Sequence, residues 1–303
     1  MSTPSESAVP APRTNQGVIH DLGYRHYDGP RLGRAHIARA LLLESAKGAY
    51  GLGRSARSKV MPMLLLAAIC LPAFIIAVVA AVTDVDELPA DYTSYVLNVQ
   101  ALVMIYVAAQ SPALVSRDLR FRVMSLYFSR PLHRIDYVVA KYAAMTTAVF
   151  LLMALPLTIM FVGALLAELP IDEQVPDYLR SLGGALLTAL VLSGIGLVIA
   201  AITPRRGLGV AAIIAVLAVL AGVQGAMQAI AVEENEATVA GYAGLISPFT
   251  LVHGVQHAVL GAGSALSEGP PGTIGSVVFV VVTGLVVAGS FGALLLRYRK
   301  VAV

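Results

Sequence analysis

Charged residues are scarce in this chain of 303 residues. Only 13% of its residues are Asp, Glu, Lys or Arg, about half the share of roughly 25% that is usual in soluble domains. Hydrophobic residues make up 57% and the net charge is only +3, whereas disordered chains combine low hydrophobicity with a large charge imbalance. The composition therefore excludes an ordinary soluble enzyme and a disordered chain, and it predicts a protein surrounded by lipid.

Cysteine and catalytic motifs are also nearly absent. The single cysteine, Cys70, lies in an apolar run, which excludes an intramolecular disulfide and a multi-cysteine metal site built from this chain alone. His253 and His257 are four residues apart, but Gly254 follows the first histidine where a zinc protease helix has its glutamate base. We expect no catalytic residues, no metal site and no cofactor in this chain.

Long apolar runs dominate what is present. A helix needs about 20 apolar residues to cross a bilayer, and six segments qualify, none of which contains Asp, Glu, Lys or Arg. They are residues 60–82, 95–115, 142–167, 181–202, 208–232 and 274–296. The sequence thus predicts an all-α integral membrane protein with six transmembrane helices, in which span one serves as its own signal anchor.

The positive residues predict the orientation, because Lys and Arg near span ends are retained on the cytoplasmic side. Twenty of the 21 Lys and Arg residues lie on one predicted face, and the exception is Arg180. Twelve of the 18 acidic residues lie on the other face. We therefore expect a multi-pass protein of the plasma (inner) membrane with both termini in the cytoplasm.

The chain divides into three predicted regions. Residues 1–17 read as a disordered tail, residues 18–59 as a cytoplasmic leader with an interfacial helix over 33–50, and residues 60–303 as the six-helix transmembrane domain. The interfacial helix carries apolar residues on one face and basic ones on the other, which favours a place in the headgroup layer. It is either a membrane-surface anchor only or a contact for a partner protein as well. The apolar segment 245–260 is too short to cross and predicts short helices in the outer leaflet.

The longest cytoplasmic connection between spans covers residues 116–141. It combines a short apolar stretch with several arginines and is interrupted by Pro131, so it offers a protein below the membrane an apolar knob and charge-assisted donors. The alternative is that the arginines only enforce topology and bind anionic lipid. The residues that we expect to dock a partner are Arg117, Asp118, Leu126, Tyr127, Phe128, Arg130, Pro131 and Arg134.

This connection resembles the coupling loop of the permease subunit of bacterial type-2 ABC exporters. That loop usually reads Arg-Glu, a Leu-rich helix, then Ser or Thr, any residue, Pro, a small aliphatic residue, any residue and Arg, with a Lys opening span three. Here Arg117-Asp118, Leu126, the run 129–134 and Lys141 stand in those places. Asp118 replaces the usual Glu, and Arg120-Phe121 stands where Gly and Ser or Thr are common. The order of interfacial helix, six spans, coupling loop and long outer connection is similar too.

The resemblance implies a transport subunit rather than an enzyme. It implies a separate ATP-binding cassette subunit that carries ATP and Mg²⁺, two copies of each chain, and a coupling loop that seats in the ATPase. Independently of the resemblance, none of the four lysines follows a glycine as a Walker A loop requires, so the energy for any pumping is expected to come from another chain. The predicted spans also lack the charged residues that ion coupling usually uses.

Polar side chains in the spans are the candidates for a substrate path. Gln224 and Gln228 are four residues apart on span five and share a helix face, and Asn98 lies on span two. They either form hydrogen bonds between helices or line the pathway, since the resemblance implies that spans two and five face it. With no charge inside the spans, we expect a hydrophobic or amphipathic cargo. The alternative function is a non-transporting membrane anchor or scaffold for a cytoplasmic ATPase or another partner.

Overall fold

A computed structural model describes residues 29, 32–83, 87–121, 127, 132–203, 205–261 and 269–299. These residues form helices and no strand, which confirms the all-α prediction. The chain separates into a unit of residues 1–32 and a unit of residues 33–303. Every helix below belongs to the second unit.

Ten helices follow one another along the described chain. They are α1 (Arg34–Ala49), α2 (Ala56–Val82), α3 (Tyr92–Asn98), α4 (Gln100–Arg120), α5 (Arg134–Leu166), α6 (Ile171–Ile202), α7 (Arg206–Glu233), α8 (Ala237–Ala243), α9 (Pro248–Val255) and α10 (Gly272–Arg299). A π-helical turn, Gln256–Leu260, continues α9.

Five of these helices, α2, α5, α6, α7 and α10, are long and apolar enough to cross a membrane. Two bent pairs pass the same test together, so the described chain holds five to seven candidate membrane-spanning helices. The first pair is α3 with residues 100–116 of α4, and the second is α8 with residues 248–260. The chain is thus a multi-pass membrane protein by length and composition of its helices.

The second predicted span, 95–115, is not one straight helix. α3 and α4 meet at Val99 with a bend of 58°. Polar contacts hold α3 at this angle, because the Tyr95 hydroxyl donates to the Ile69 carbonyl of α2. The Tyr92 hydroxyl donates to Gln174 Oε1 of α6 at 2.7 Å. The bend thus depends on contacts with distant parts of the chain, which an apolar run does not encode.

The core lies along α5 and α6, which carry the most buried positions. α1 and α2 pack on α5, α4 packs on α6 and α7, and α10 packs on α6. Small residues allow these close approaches. They are common where helices pack in membranes, because lipid provides no hydrophobic driving force for helix association. A Cβ on Gly163 of α5 would lie 2.3 Å from the Ala77 Cβ of α2, and one on Gly196 of α6 would lie 2.5 Å from the Ser111 Oγ of α4.

The connection between α7 and α10 contains the short helices α8 and α9, which are bent by 112° against each other. The sequence predicted an apolar segment over 245–260, and the observed helix begins at Pro248 and ends at Leu260. Residues 248–256 are all buried, and α9 packs against α6, α7 and α10. α9 is therefore covered by protein along most of its length.

Candidate functional site

A cluster of polar contacts closes the base of the 116–141 connection. The Lys141 Nζ of α5 lies 3.0 Å from Asp118 Oδ2 of α4 and donates to the Leu114 carbonyl at 3.0 Å. The Tyr137 hydroxyl donates to the same Asp118 oxygen at 2.7 Å. The side chains of Lys141 and Asp118 are only 9% and 16% exposed. The two helices that flank the loop are thus joined by a largely buried ion pair.

Helical spacing brings these groups together. Tyr137 and Lys141 are four residues apart on α5, and Leu114 and Asp118 are four apart on α4, so each pair lies on one face of its helix. The Lys141 ammonium also lies 5.5 Å from the centre of the Tyr137 ring, within the range of a cation–π contact. Each polar group in the cluster therefore has a partner across the α4–α5 contact.

The end of α10 joins the same cluster. The Tyr298 ring packs edge-on against the Tyr137 ring with centroids 5.1 Å apart, and Tyr298 is almost fully buried. Arg134 donates from Nη1 to the Arg299 carbonyl at 2.9 Å, a bond that occupies one of the carbonyls left free at a helix C-terminus. The loop itself contributes Tyr127, whose ring centre lies 5.6 Å from that of Tyr137.

α1 is attached to the start of α5 by a two-pronged ion pair. The Arg34 Nε and Nη2 atoms donate to the two carboxylate oxygens of Asp136 at 2.6 and 2.7 Å. Asp136 also accepts the His133 backbone N–H at 2.9 Å, which caps the first turn of α5. The hydrogen bond from Arg34 to Asp136 raises the pKa of the Arg34 guanidinium. The helix predicted to lie at the membrane surface is therefore fixed to the base of the loop.

A polar cleft of about 330 Å³ opens beside the cluster, between α1, α4, α5 and the loop. Its lining residues are Leu41, Glu44, Ser45, Arg54, Ala113, Leu114, Asp118, Phe121, Tyr127 and Lys141. Both signs of charge line this cleft, so it suits a polar protein surface better than an apolar ligand.

The structure locates some of the predicted docking residues. Asp118 and Tyr127 contact Tyr137, Arg134 bonds to the Arg299 carbonyl, and the Asp118 carboxylate is directed to partners within the chain. Asp118 thus holds the ends of the loop together. Arg117 belongs to α4, but its side chain lies outside what the structure describes. Four further predicted docking residues lie outside the described residues altogether: Leu126, Phe128, Arg130 and Pro131.

The predicted pathway residues fall at two places. Gln224 is buried on α7 and donates from Nε2 to Gln228 Oε1 at 2.5 Å, so these two amides join successive turns of one helix. Asn98 is exposed at the end of α3, next to the bend at Val99. The sequence predicts that these three residues line a pathway or form hydrogen bonds between helices, and the structure places a glutamine pair on α7 and a separate asparagine on α3.

A second polar cavity, of about 270 Å³, lies at the opposite ends of the helices. Its lining residues are Glu87, Leu88, Asp91, Tyr92, Thr93, Glu173, Gln174, Asp177, Arg180 and Ser181. Tyr178 helps to hold this end together, because its ring stacks on Phe161 at 4.5 Å and its hydroxyl bonds to Thr158 at 2.9 Å. Tyr92 and Tyr178 lie close to the ends of predicted spans, where aromatic residues are common at the membrane interface.

Sequence reasoning also missed several contacts at the base of the loop. Tyr137 and Tyr298 sit near predicted span ends, and the only signal for their pairing is that both are aromatic residues at one interface. The pairing of Arg34 with Asp136 joins residues 102 positions apart, so no local pattern encodes it. The sequence shows only that Arg34 is a basic residue at the start of one helix and that Asp136 is an acidic residue in the first turn of another.

Within the described residues, no three His, Cys, Asp or Glu side chains come together as metal ligands would. No protein-family model matches the chain, and no curated protein matches it significantly.

Proposed function

We propose that this chain is the membrane-spanning permease subunit of an ATP-driven exporter of the type-2 ABC class. It works as a homodimer with two ATP-binding cassette subunits, which hydrolyse ATP. The observation that carries the proposal is the base of the 116–141 loop. There a largely buried ion pair and a hydrogen bond join α4 to α5, and the buried rings of Tyr137 and Tyr298 and an exposed hydrogen bond join α5 to α10. The loop sequence resembles that of the exporter permeases at the positions named above.

A loop anchored in this way transmits force. When the ATPase subunits close on nucleotide, they displace the loop through its apolar knob and its arginines. Because Asp118 and Lys141 join α4 to α5, the two helices move together. α4 in turn packs on α7, so the motion reaches the helix that carries Gln224 and Gln228. This is a route from ATP hydrolysis to opening and closing of a path between α4 and α7.

The exposed apolar surface of α7 supports the homodimer. Along its 28 residues, only five positions are buried within the chain. Val216, Val219, Val223 and Met227 are well exposed, although α7 carries the candidate pathway residues. A second copy facing α7 would cover these side chains. The cargo of such a path is hydrophobic or amphipathic.

The test is to purify the tagged chain gently from its native membranes and to identify bound proteins by mass spectrometry. The variant reverses two loop charges, Arg130→Glu with Arg134→Glu. The matched control is Arg180→Glu, which alters an exposed arginine paired with Asp177 at the other end of the helices. We expect an ATP-binding cassette protein to accompany the wild type and the Arg180 variant, and to be lost from the double variant.

Two outcomes would contradict the proposal. If no ATP-binding cassette protein accompanies any form under conditions that preserve such complexes, the exporter has no energy source. If the ATPase is bound but candidate hydrophobic cargoes never stimulate its hydrolysis in the reconstituted complex, the chain is a membrane scaffold for the ATPase. Stimulation by a cargo supports transport directly.

A further inference from the structure

A closed-ended apolar pocket lies between the middle parts of α6 and α10, and α5 and α9 complete its walls. Its volume is about 520 Å³, within the range of roughly 300 to 1,000 Å³ that is usual for small-molecule sites in proteins. We call it the α6–α10 pocket. Its lining residues are Tyr142, Leu187, Leu190, Val255, Val280, Thr283, Gly284, Val287, Ala288 and Phe291.

Helix α9 closes one end of the α6–α10 pocket. Gly254 of α9 lies against the Phe279 ring of α10, one residue before the first α10 residue of the lining. Gln256, which begins the π-helical turn after α9, lies against Gly184 of α6, one turn before Leu187. α6 and α10 are thus bridged through α9, and the pocket ends there.

A direct contact between α6 and α10 closes the other end. Gly194 of α6 lies so close to α10 that an added Cβ would be 2.8 Å from the Ser290 Cβ. The Tyr142 hydroxyl of α5 lies against the same glycine, and the Tyr142 ring packs edge-on against Phe291 with ring centres 6.1 Å apart. Between the two closed ends, Phe279 and Ser290 are roughly 16 Å apart along α10.

The pocket opens sideways along the central part of α10. Val280 is 42% exposed, and Gly284 and Ala288 on the following turns are exposed as well. The closing contacts at Phe279 and Ser290 each lie roughly 10 Å or more from an end of α10. Because α10 is long and apolar enough to cross a bilayer, the opening is expected to face the hydrocarbon core rather than a headgroup layer.

The lining presents apolar surface to a ligand. The Tyr142 hydroxyl donates to the Leu190 carbonyl at 2.9 Å, and the Thr283 hydroxyl donates to the Phe279 carbonyl at 2.8 Å. A hydroxyl has one proton to donate, so both are already used within the chain. The lining residues that the structure describes include no charged side chain. A charged or strongly polar molecule would lose its hydration here without compensation, whereas apolar cavities bind apolar molecules.

We propose that the α6–α10 pocket binds a compact, uncharged apolar molecule that enters from the bilayer. A phospholipid acyl chain is a poorer occupant, because it must continue to a headgroup at a membrane surface and the pocket is closed in both of those directions. A helix of a second copy, about 10 Å wide, could cover the opening but not fill the pocket, because α6 and α10 are held together at both ends.

The pocket is separate from the proposed transport path. Its lining residues belong to α5, α6, α9 and α10, whereas the path lies between α4 and α7. The binding site requires only that the helices lie in a membrane, and it stands or falls separately from the exporter function.

Photolabelling of the full-length protein in phosphatidylcholine vesicles tests the site. The probe is a trifluoromethyl phenyl diazirine, a small uncharged molecule that partitions into bilayers and reacts with its surroundings when illuminated. Its concentration is kept well below saturation, and labelled residues are located by peptide mass spectrometry. The measurement is repeated with excess tert-butylbenzene, which has a similar shape but no photoactive group. Phe74 on α2, which is 58% exposed, reports on simple contact with lipid.

Labelling inside the pocket should be saturable. With tert-butylbenzene at about ten times its dissociation constant, mass action should lower the labelling of the α6 and α10 lining residues about tenfold. Labelling around Phe74 should stay nearly the same, because lipid contact has no fixed number of sites. Pocket labelling that is absent, or that the competitor leaves unchanged, would show that ordinary lipid fills the pocket and would overturn the proposal.

Matched variants locate the site on α10. Gly284→Leu puts a branched side chain into the pocket and should abolish the labelling that the competitor displaces. Gly289→Leu on the same helix is the control, because an added Cβ there also meets no described atom within 4 Å and Gly289 is not among the lining residues. Equal competed labelling in the two variants would contradict the proposal.

A fluorescence measurement tests the same site without filling it. The chain contains no tryptophan, so Phe291→Trp puts a single fluorophore in the pocket wall and Phe74→Trp puts one on the exposed side of α2. In phosphatidylcholine vesicles with brominated acyl chains, tert-butylbenzene should relieve the quenching of the Phe291→Trp fluorophore and leave that of Phe74→Trp unchanged. An equal effect on both fluorophores would assign the pocket to ordinary lipid.

Discussion

At the scale of single residues, the ion pair of Lys141 and Asp118 should matter most. Both side chains are largely buried, and removing one member of a buried pair leaves an uncompensated charge. We expect Lys141→Met to lower the free energy of unfolding by about 2 to 3 kcal/mol, below the full range for buried pairs because neither group is completely covered. Thermal unfolding of the purified protein in detergent measures the change.

The double variant gives the sharper result. Asp118→Asn together with Lys141→Met removes both charges, so it should lose less stability than the two single changes added together. Additive losses would show that the pair does not stabilise the base of the loop. Arg180→Gln, which breaks the exposed pair with Asp177, serves as the control and should change stability by less than about 1 kcal/mol.

The sequence predicted part of this cluster. Lys141 was expected at the start of span three and Asp118 at the start of the loop, because both occupy places in the coupling-loop pattern. Their pairing was not predicted, since it depends on how α4 and α5 cross. Asp118 was expected on a docking surface, and the structure shows its carboxylate bound to Lys141 and Tyr137.

At the scale of helices, Gly163 sets the approach of α5 to α2. A Cβ there would lie 2.3 Å from the Ala77 Cβ, so Gly163→Ala must push the helices apart. We expect a loss of about 1 to 3 kcal/mol, as for other overpacked sites. Gly222→Ala on α7 is the control, because an added Cβ there meets no described atom within 4 Å and alanine favours the helix. Comparable unfolding temperatures of the two variants would refute this prediction.

The Arg34–Asp136 pair should hold α1 against α5. Without it, α1 keeps the packing of apolar side chains such as Ile37 and Leu41 and the hydrogen bond from the Tyr106 hydroxyl to the Ala49 carbonyl. We expect Arg34→Gln to speed amide hydrogen exchange across residues 34–49 and to leave exchange in α6 unchanged. Arg39→Gln, a change on the exposed face of the same helix, should have no such effect. Unaltered exchange in the Arg34 variant would show that these remaining contacts fix α1.

Apolar runs predicted where the long helices lie, because the need to satisfy the backbone in lipid forces such runs into helices. They did not predict the break at Val99 or the bend before Pro248. The first depends on hydroxyl bonds from α3 to α2 and α6. The second depends on burial of α9 against α10, where Gly254 lies close to the Phe279 ring. Contacts between distant segments decide both features, and no periodicity in the sequence records them.

At the scale of the whole molecule, the groups of contacts at the two ends differ in charge. The end that holds the loop gathers the basic residues Arg34, Lys141 and Arg297, whereas the cavity at the other end is lined by four carboxylates and one arginine. Such asymmetry is what the retention of positive charge in the cytoplasm produces. The loop end is therefore expected to face the cytoplasm and the acidic cavity the outside.

Cysteine labelling tests this orientation, since the chain has one cysteine to remove. In a Cys70→Ala background, Ser55→Cys reports on the loop end, and Glu173→Cys and Glu236→Cys report on the other end; all three positions are exposed. A membrane-impermeant maleimide added to intact cells should label the variants at 173 and 236, and should label the variant at 55 only after the cells are opened. Labelling in the reverse order would mean that the protein has the opposite orientation. The loop would then lie outside the cell, where no cytoplasmic ATPase can bind it. Labelling of 55 and 236 from the same side would mean that the number of crossings between them is even, which would contradict the six-span layout.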